Sequence, residues 1–159
     1  MEILRIPQRV VSVGIMLEDG HTLEGEMYVP EVGPDGLAGR VIDRLNDPNE
    51  RYIPVAAAGN VSLVNKFRIA SVRVAGHNEV AGLPQEGCQD IEVRLRMKGG
   101  KSLNGHFRFL MPYQRSRLVD FMNDTAQFMP LVDDDSVTLV HDTYIVQVWG
   151  QDEEEHQLR

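Results

Sequence analysis

Three arginines, Arg108, Arg115 and Arg117, stand in the segment RFLMPYQRSR, the most basic stretch of the chain. Guanidinium groups grip phosphates and carboxylates through paired N–H donors, so this spacing can hold a small anionic ligand such as a nucleotide. The same arginines can instead pair with Asp120 and Asp124 just beyond them. Five histidines, His21, His77, His106, His141 and His156, raise the question of a metal. No two of them lie four apart on a helix or two apart on a strand, the spacings that aim two imidazoles at one ion. His106 and His141 share the second half of the chain and can approach in space, but no metal and no cofactor is expected. The acids of DDDS, Asp133 to Asp135, can attract a hard cation. They lack the alternating ligands and the glycine of a calcium loop, and read as a solvated turn. The glycines of GPDGLAGR follow Pro30 and lack the Lys-Ser/Thr of a phosphate loop, so they too read as a turn. Cys88 is the single cysteine. It permits no intrachain disulfide and no cysteine-based zinc site, and reads as a spare thiol in a loop. No Ser–His–Asp or Cys–His set is recognisable from spacing, and the expectation is a protein that is not an enzyme.

The 159 residues suffice for one ordinary domain or two very small ones, and 42% are hydrophobic, enough for a core. No apolar run reaches the roughly 18 residues that cross a bilayer. The opening MEILRIPQRVVSVG lacks the charged-then-apolar layout of a signal peptide, so a soluble, cytoplasmic protein is expected. The net charge is −8 and unevenly placed. Through Ala75 there are eight basic and ten acidic side chains, a net of −2; the remainder has eight and fourteen, a net of −6. Half of that −6 is the tail QDEEEHQLR. Affinity for polyanions comes largely from neutralising phosphates, so this balance disfavours nucleic acid and anionic membranes as partners.

The elements that must position these residues are written twice. LEDGHTLEG at Leu17–Gly25 returns as MKGGKSLNG at Met97–Gly105. Before each, apolar residues alternate: Val11, Val13, Ile15, Leu17, then Ile91, Val93, Leu95, Met97. Period two is the mark of a strand with one buried face. Gly20 and Gly100 suit the turns, which need positive φ. Gly25 and Gly105 fall inside the returning strands, where a bend or bulge is expected. GRVIDRLND then matches SRLVDFMND, a short helix with one apolar stripe. RYIPV matches QFMPL, and VSLVNKFRIASVRV matches VTLVHDTYIVQVWG, two strands with tight connections at Asn65-Lys66 and His141-Asp142. The expected fold is therefore mainly β with one short helix per repeat. It comprises two tandem, strongly bent, five-stranded β-barrel-like units related by internal duplication. The units span 1–75 and 91–150, with a polar, glycine-rich linker at 76–90 and the acidic tail at 151–159.

The hairpin VSVGIMLEDGHTLEGEM with VNKFRIASV, and IEVRLRMKGGKSLNGHF with VHDTYIVQV, resemble the Sm-like fold, a small, strongly bent β-barrel. The resemblance covers about two thirds of each repeat and rests on glycine and apolar positions. The repeat also looks like a family of small uncharacterised bacterial domains. The Sm-like resemblance implies RNA binding, but the residues depart from that expectation. A helix and the loop VPEVGPDG stand where the RNA-reading loop of the family falls. The Arg-Gly pair of the second family motif is replaced by Asn65-Lys66 and His141-Asp142. Of the bacterial Lys-His pair only Lys66 remains.

The functional expectation is a non-catalytic interaction or regulatory adaptor that works through assembly with an unknown protein partner. A small bent barrel has open edges that can take a neighbour's strand. If repeats pair as Sm-like subunits do, through terminal strands, a few chains close a homo-oligomeric ring. The alternatives are Sm-like RNA binding, for which only Lys66 is a candidate, and sensing of a small anion by Arg108, Arg115 and Arg117.

Overall fold

The computed structural model describes residues 7–33, 36–75, 79, 89–109, 118–124, 127–134 and 136–150. Along the chain these form β1 (Gln8–Leu17), β2 (Thr22–Pro30), α1 (Val41–Leu45), β3 (Tyr52–Ala57), β4 (Asn60–Asn65) and β5 (Ile69–Ala75), then β6 (Gln89–Met97), β7 (Ser102–Phe109), α2 (Leu118–Asn123), β8 (Phe128–Asp133), β9 (Ser136–His141) and β10 (Ile145–Gly150). Three-residue 3-10 turns, Lys66–Arg68 and Asp142–Tyr144, join β4 to β5 and β9 to β10.

The alternating residues occupy the buried faces. Val11, Val13 and Ile15 of β1, and Ile91, Val93, Leu95 and Met97 of β6, are all buried. The hairpin turns place Gly20 at φ +91° and Gly100 at φ +96°, backbone that an L side chain adopts only with strain. Gly25 and Gly105 sit where the next strand crosses closely. A Cβ on Gly25 would stand 2.6 Å from the Ala56 carbonyl oxygen, and one on Gly105 2.7 Å from that of Val132. At these crossings β2 meets β3 through Glu26↔Ala56, and β7 meets β8 through His106↔Val132. The missing side chain thus lets each sheet half fold sharply over itself.

All ten strands form one antiparallel sheet in the order β10-β6-β7-β8-β9-β5-β1-β2-β3-β4. This corrects the expected barrel-like closure of each unit, because the sheet is open and neither five-strand half closes on itself. Closure of the first half would need β4 to pair with β5. The free side of β5 instead receives β9, whose apolar residues cover it. The second repeat is expected to begin at 91, and its first strand is β6. The strand starts two residues earlier, because Gln89↔Phe109 and Asp90↔Arg108 extend the ladder and Arg108 pairs with Asp90 at 2.9 Å.

The short helices lie over the sheet with their apolar stripes inward: Val41 and Leu45 of α1 are fully buried, as is Leu118 of α2. No side chain of its own caps α1. Glu79, from the stretch expected to be linker, fills that role by accepting from Val41 N at 2.6 Å and Ile42 N at 3.4 Å. Burial raises the Glu79 pKa, against the two amides and Arg40, which favour the carboxylate. The rest of 76–88 and the tail 151–159 lie outside the described residues. None of the helices described is long and apolar enough to cross a membrane.

Candidate interaction edges and the seam between the halves

The seam is the pairing of β5 with β9: Ser71↔Val140, Val72↔Leu139, Arg73↔Thr138, Val74↔Val137 and Ala75↔Ser136. The halves also exchange side chains there. Phe128, Val137 and Leu139 of the second half pack in the core of the first, and Ala70 and Met16 of the first half pack with the core of the second. Asn46, just past α1, holds the Phe128 backbone on both sides, donating to its carbonyl at 3.1 Å and accepting from its N–H at 2.9 Å.

One end of the seam is polar. The Tyr144 hydroxyl donates to Glu18 Oε2 at 2.8 Å, with the Phe67 carbonyl as its alternative acceptor. Glu18 Oε1 accepts from Arg68 at 2.9 Å. The Tyr144 hydrogen bond, with help from Arg68, holds the Glu18 carboxyl below its ordinary range, while burial and then Glu18 push Tyr144 up to about 12. His141 Nδ1 lies 2.9 Å from the Ile69 carbonyl, so that nitrogen carries the proton and donates it. Its ring stacks on Phe128 at 4.5 Å and meets Tyr144 edge-on at 5.2 Å.

Burial holds the His141 pKa below its ordinary 6.5, against the Ile69 carbonyl and Asp142, which favour the charged form, and with Lys66, which opposes it. The unfolded chain therefore binds this proton at a higher pH than the folded one, and the His141 contribution is full above about pH 6.5 and lost as pH falls through the depressed value. Glu79 has the opposite sign: its raised pKa gives a contribution present below 4.5 and lost as pH rises through the raised value. Because the two contributions oppose each other, the His141 part is read as a difference: from pH 7 down to 5.5 the wild-type urea midpoint should fall relative to that of His141→Asn. That variant places at this position the residue found at Asn65 and removes the titrating imidazole.

The ends of the sheet are β4 and β10. The registers of the two halves repeat at a constant offset, Tyr52↔Asn65 through Ala57↔Asn60 against Phe128↔His141 through Asp133↔Ser136. Equivalent positions nevertheless differ in exposure. Tyr52, Val61 and Leu63 are 48%, 67% and 67% exposed, whereas Phe128, Val137 and Leu139 in the same places are 1%, 1% and 0%. On β10, Val146 is exposed where Ala70 is buried at the seam, and Trp149 is exposed with Arg94 over its ring at 5.8 Å.

Of the residues expected to bind ligands, the two that are described, Lys66 and Arg108, each have a partner within the chain. Lys66 is buried, and its ammonium donates to the Asp47 carbonyl at 2.5 Å, so it does not face a solvent-borne polyanion. Arg108 forks onto Asp90 through Nε at 2.9 Å and Nη2 at 3.2 Å. Arg115 and Arg117 lie outside the described residues, as do His77, Cys88, Asp135 and His156. His21 is at an exposed hairpin tip beside Asp19, whereas His141 is in the seam. Among the described residues no three His, Cys, Asp or Glu side chains gather closely enough to hold a metal ion.

Sequence reading did not anticipate the seam cluster of Glu18, Tyr144 and His141, or the exposure of Tyr52, Val61 and Leu63. The one signal available was that Glu18 and Arg68 differ in charge from their counterparts Lys98 and Tyr144 in otherwise matching segments. Comparison with protein-family models, with curated proteins and with solved structures finds no match.

Proposed function

We propose that the chain is a non-catalytic assembly module, made of two copies of one Sm-like unit, whose working parts are the two ends of its sheet. In this reading β10 of one chain lies antiparallel on β4 of the next and repeats between chains the pairing that β5 and β9 make within one. The observation that carries it is the exposed trio Tyr52, Val61 and Leu63, whose counterparts are covered by the neighbouring half. The edges themselves support it. A strand that must stay unpaired is normally blunted by lysine, proline or an inward charge. NVSLVN and IVQVWG contain none of these.

Transferring the β5–β9 register to the edges pairs Gln147 with Val64, Val148 with Leu63, Trp149 with Ser62 and Gly150 with Val61. Burying each large apolar side chain contributes roughly 1.5–3 kcal/mol. Association costs an estimated ~4–15 kcal/mol in lost rigid-body freedom. Three side chains and a short ladder therefore only about balance that cost, and the seam between chains is a reversible one.

Light scattering over a concentration series tests the reading. The expected mass rises above that of a single chain of 17.9 kDa and returns to it in Val61→Lys/Leu63→Lys, which charges the edge without touching a core. A strict monomer at high concentration excludes assembly of this kind.

A further inference from the structure

The seam within the chain and the seam proposed between chains differ in charge at one place. Within the chain, Glu18 stands between Arg68 of its own half and Tyr144 of the other. The residue in the place of Glu18 in the second hairpin is Lys98. Its backbone N–H donates to the Tyr144 carbonyl at 2.8 Å, as that of Glu18 does to the Arg68 carbonyl at the same distance. Tyr144, in turn, occupies in the second half the place of Arg68. When β10 of one copy meets β4 of another, Lys98 therefore takes the position of Glu18, and Arg68 of the incoming copy takes the position of Tyr144.

A carboxylate accepting from a phenol and a guanidinium is thus replaced by an ammonium facing a guanidinium. Lys98 acts on Glu18 of its own chain, but that carboxylate is held by Tyr144 and Arg68. Asp142 takes the place of Lys66, on the His141 side of the seam, and Asn65 takes the place of His141, where its amide can donate to the Ile145 carbonyl as His141 does to Ile69. Glu18 of the incoming copy is already bound by its own Tyr144 and Arg68. Arg68 gives Nη1 to Glu18, and its other guanidinium N–H groups together with the Lys98 ammonium can close on an oxyanion placed between them.

We propose that Lys98 of one copy and Arg68 of the next form an anion site that exists only in the assembled protein, and that a phosphate-type oxyanion bound there tightens the seam. The proposal rests on the edge pairing of β4 with β10. Its ligand class follows from the donors: guanidinium N–H groups and an ammonium suit a tetrahedral oxyanion better than a halide.

Sedimentation of the full chain in sodium chloride, and in chloride with millimolar inorganic phosphate at matched ionic strength, tests it. Wild type should associate more tightly with phosphate, on the order of tenfold for one charge-assisted contact. Lys98→Glu, which restores the charge found at Glu18, should associate in chloride alone at least as tightly as wild type does with phosphate, and should no longer respond to phosphate. Lys98→Ala reports any general effect of the salt and should also lose the response. Association that is equal in the two salts for wild type, or weakened by Lys98→Glu, overturns the anion site while leaving the edge pairing standing. A monomer in every salt and variant overturns the edge pairing, and the anion site with it. Thermal melts of Lys98→Glu and Lys98→Ala at monomeric concentration check that the exposed turn tolerates both changes.

Discussion

Phe128→Ala is expected to lower the stability of the folded chain by about 3–5 kcal/mol, the cost of emptying a fully buried aromatic site. The ring lies in the core of the opposite half, stacked on His141, and its backbone is clamped by Asn46. Its loss opens a cavity in the seam where the halves interlock, beside the β5–β9 pairing. The same change at the equivalent position is expected to do little. Tyr52→Ala removes a half-exposed ring and should leave the stability of the single chain within about 0.5 kcal/mol. Urea unfolding at low concentration reads both. At high concentration the comparison inverts in interest, because Tyr52 then lies in the proposed seam and its removal should shift the association equilibrium. Equal costs for the two substitutions in the dilute chain would contradict the account of the internal seam.

The second large effect is at the crossing glycines. Gly25→Ala and Gly105→Ala should each cost about 1–3 kcal/mol, the usual penalty of overpacking a close contact. At both positions the new methyl would meet a backbone carbonyl and a core side chain: Ala56 O and Val55 Cγ1 at 2.6 and 2.9 Å, Val132 O and Leu131 Cγ at 2.7 and 2.8 Å. A backbone oxygen cannot rotate away as a side chain can, so β3 or β8 must shift. Gly14→Ala is the control. It lies in β1, beside Gly25 in the same hairpin, and the nearest atoms to its methyl would be the movable carboxyl end of Glu24, from 3.1 Å. Thermal midpoints of the three variants should separate the crossing glycines from the control. A similar small change in all three would show that the sharp fold of the sheet does not depend on the absence of a side chain.

Much of the fold is legible in the residues because it is local. The alternation Val11, Val13, Ile15 fixes a strand and its buried face, a glycine at a turn fixes a hairpin, and Val41 with Leu45 fixes one stripe on a short helix. The order of elements follows from these signals. What joins strand to strand across the middle of the sheet does not. Val61, Leu63 and Val64 look the same in sequence as Val137, Leu139 and Val140. Yet the first two end at an open edge while their counterparts are buried. The difference is made by which strand arrives beside them, a contact between residues some 65 apart that no local period encodes. Two ligand candidates, Arg108 and Lys66, have partners within the chain for a similar reason. Arg108 stands out in a basic segment, but the ladder brings Asp90 opposite it and the pair is satisfied. Lys66 stands out by resemblance, but the 3-10 turn that carries it points the ammonium inward at the Asp47 carbonyl.

A cross-linking experiment tests the central proposal, edge-to-edge pairing, most directly. Cysteines placed at Leu63 and Val148, in a Cys88→Ser background, fall opposite each other if β4 of one chain lies on β10 of another in the register of the internal seam. Directly opposed residues on antiparallel strands have Cα atoms about 4.5–5.5 Å apart, within disulfide reach. Mild oxidation should then link chains into dimers and higher species on a non-reducing gel, and the register-shifted pair Leu63→Cys/Val146→Cys should not. Absence of interchain links from the first pair, or links formed equally well by both, would contradict the pairing.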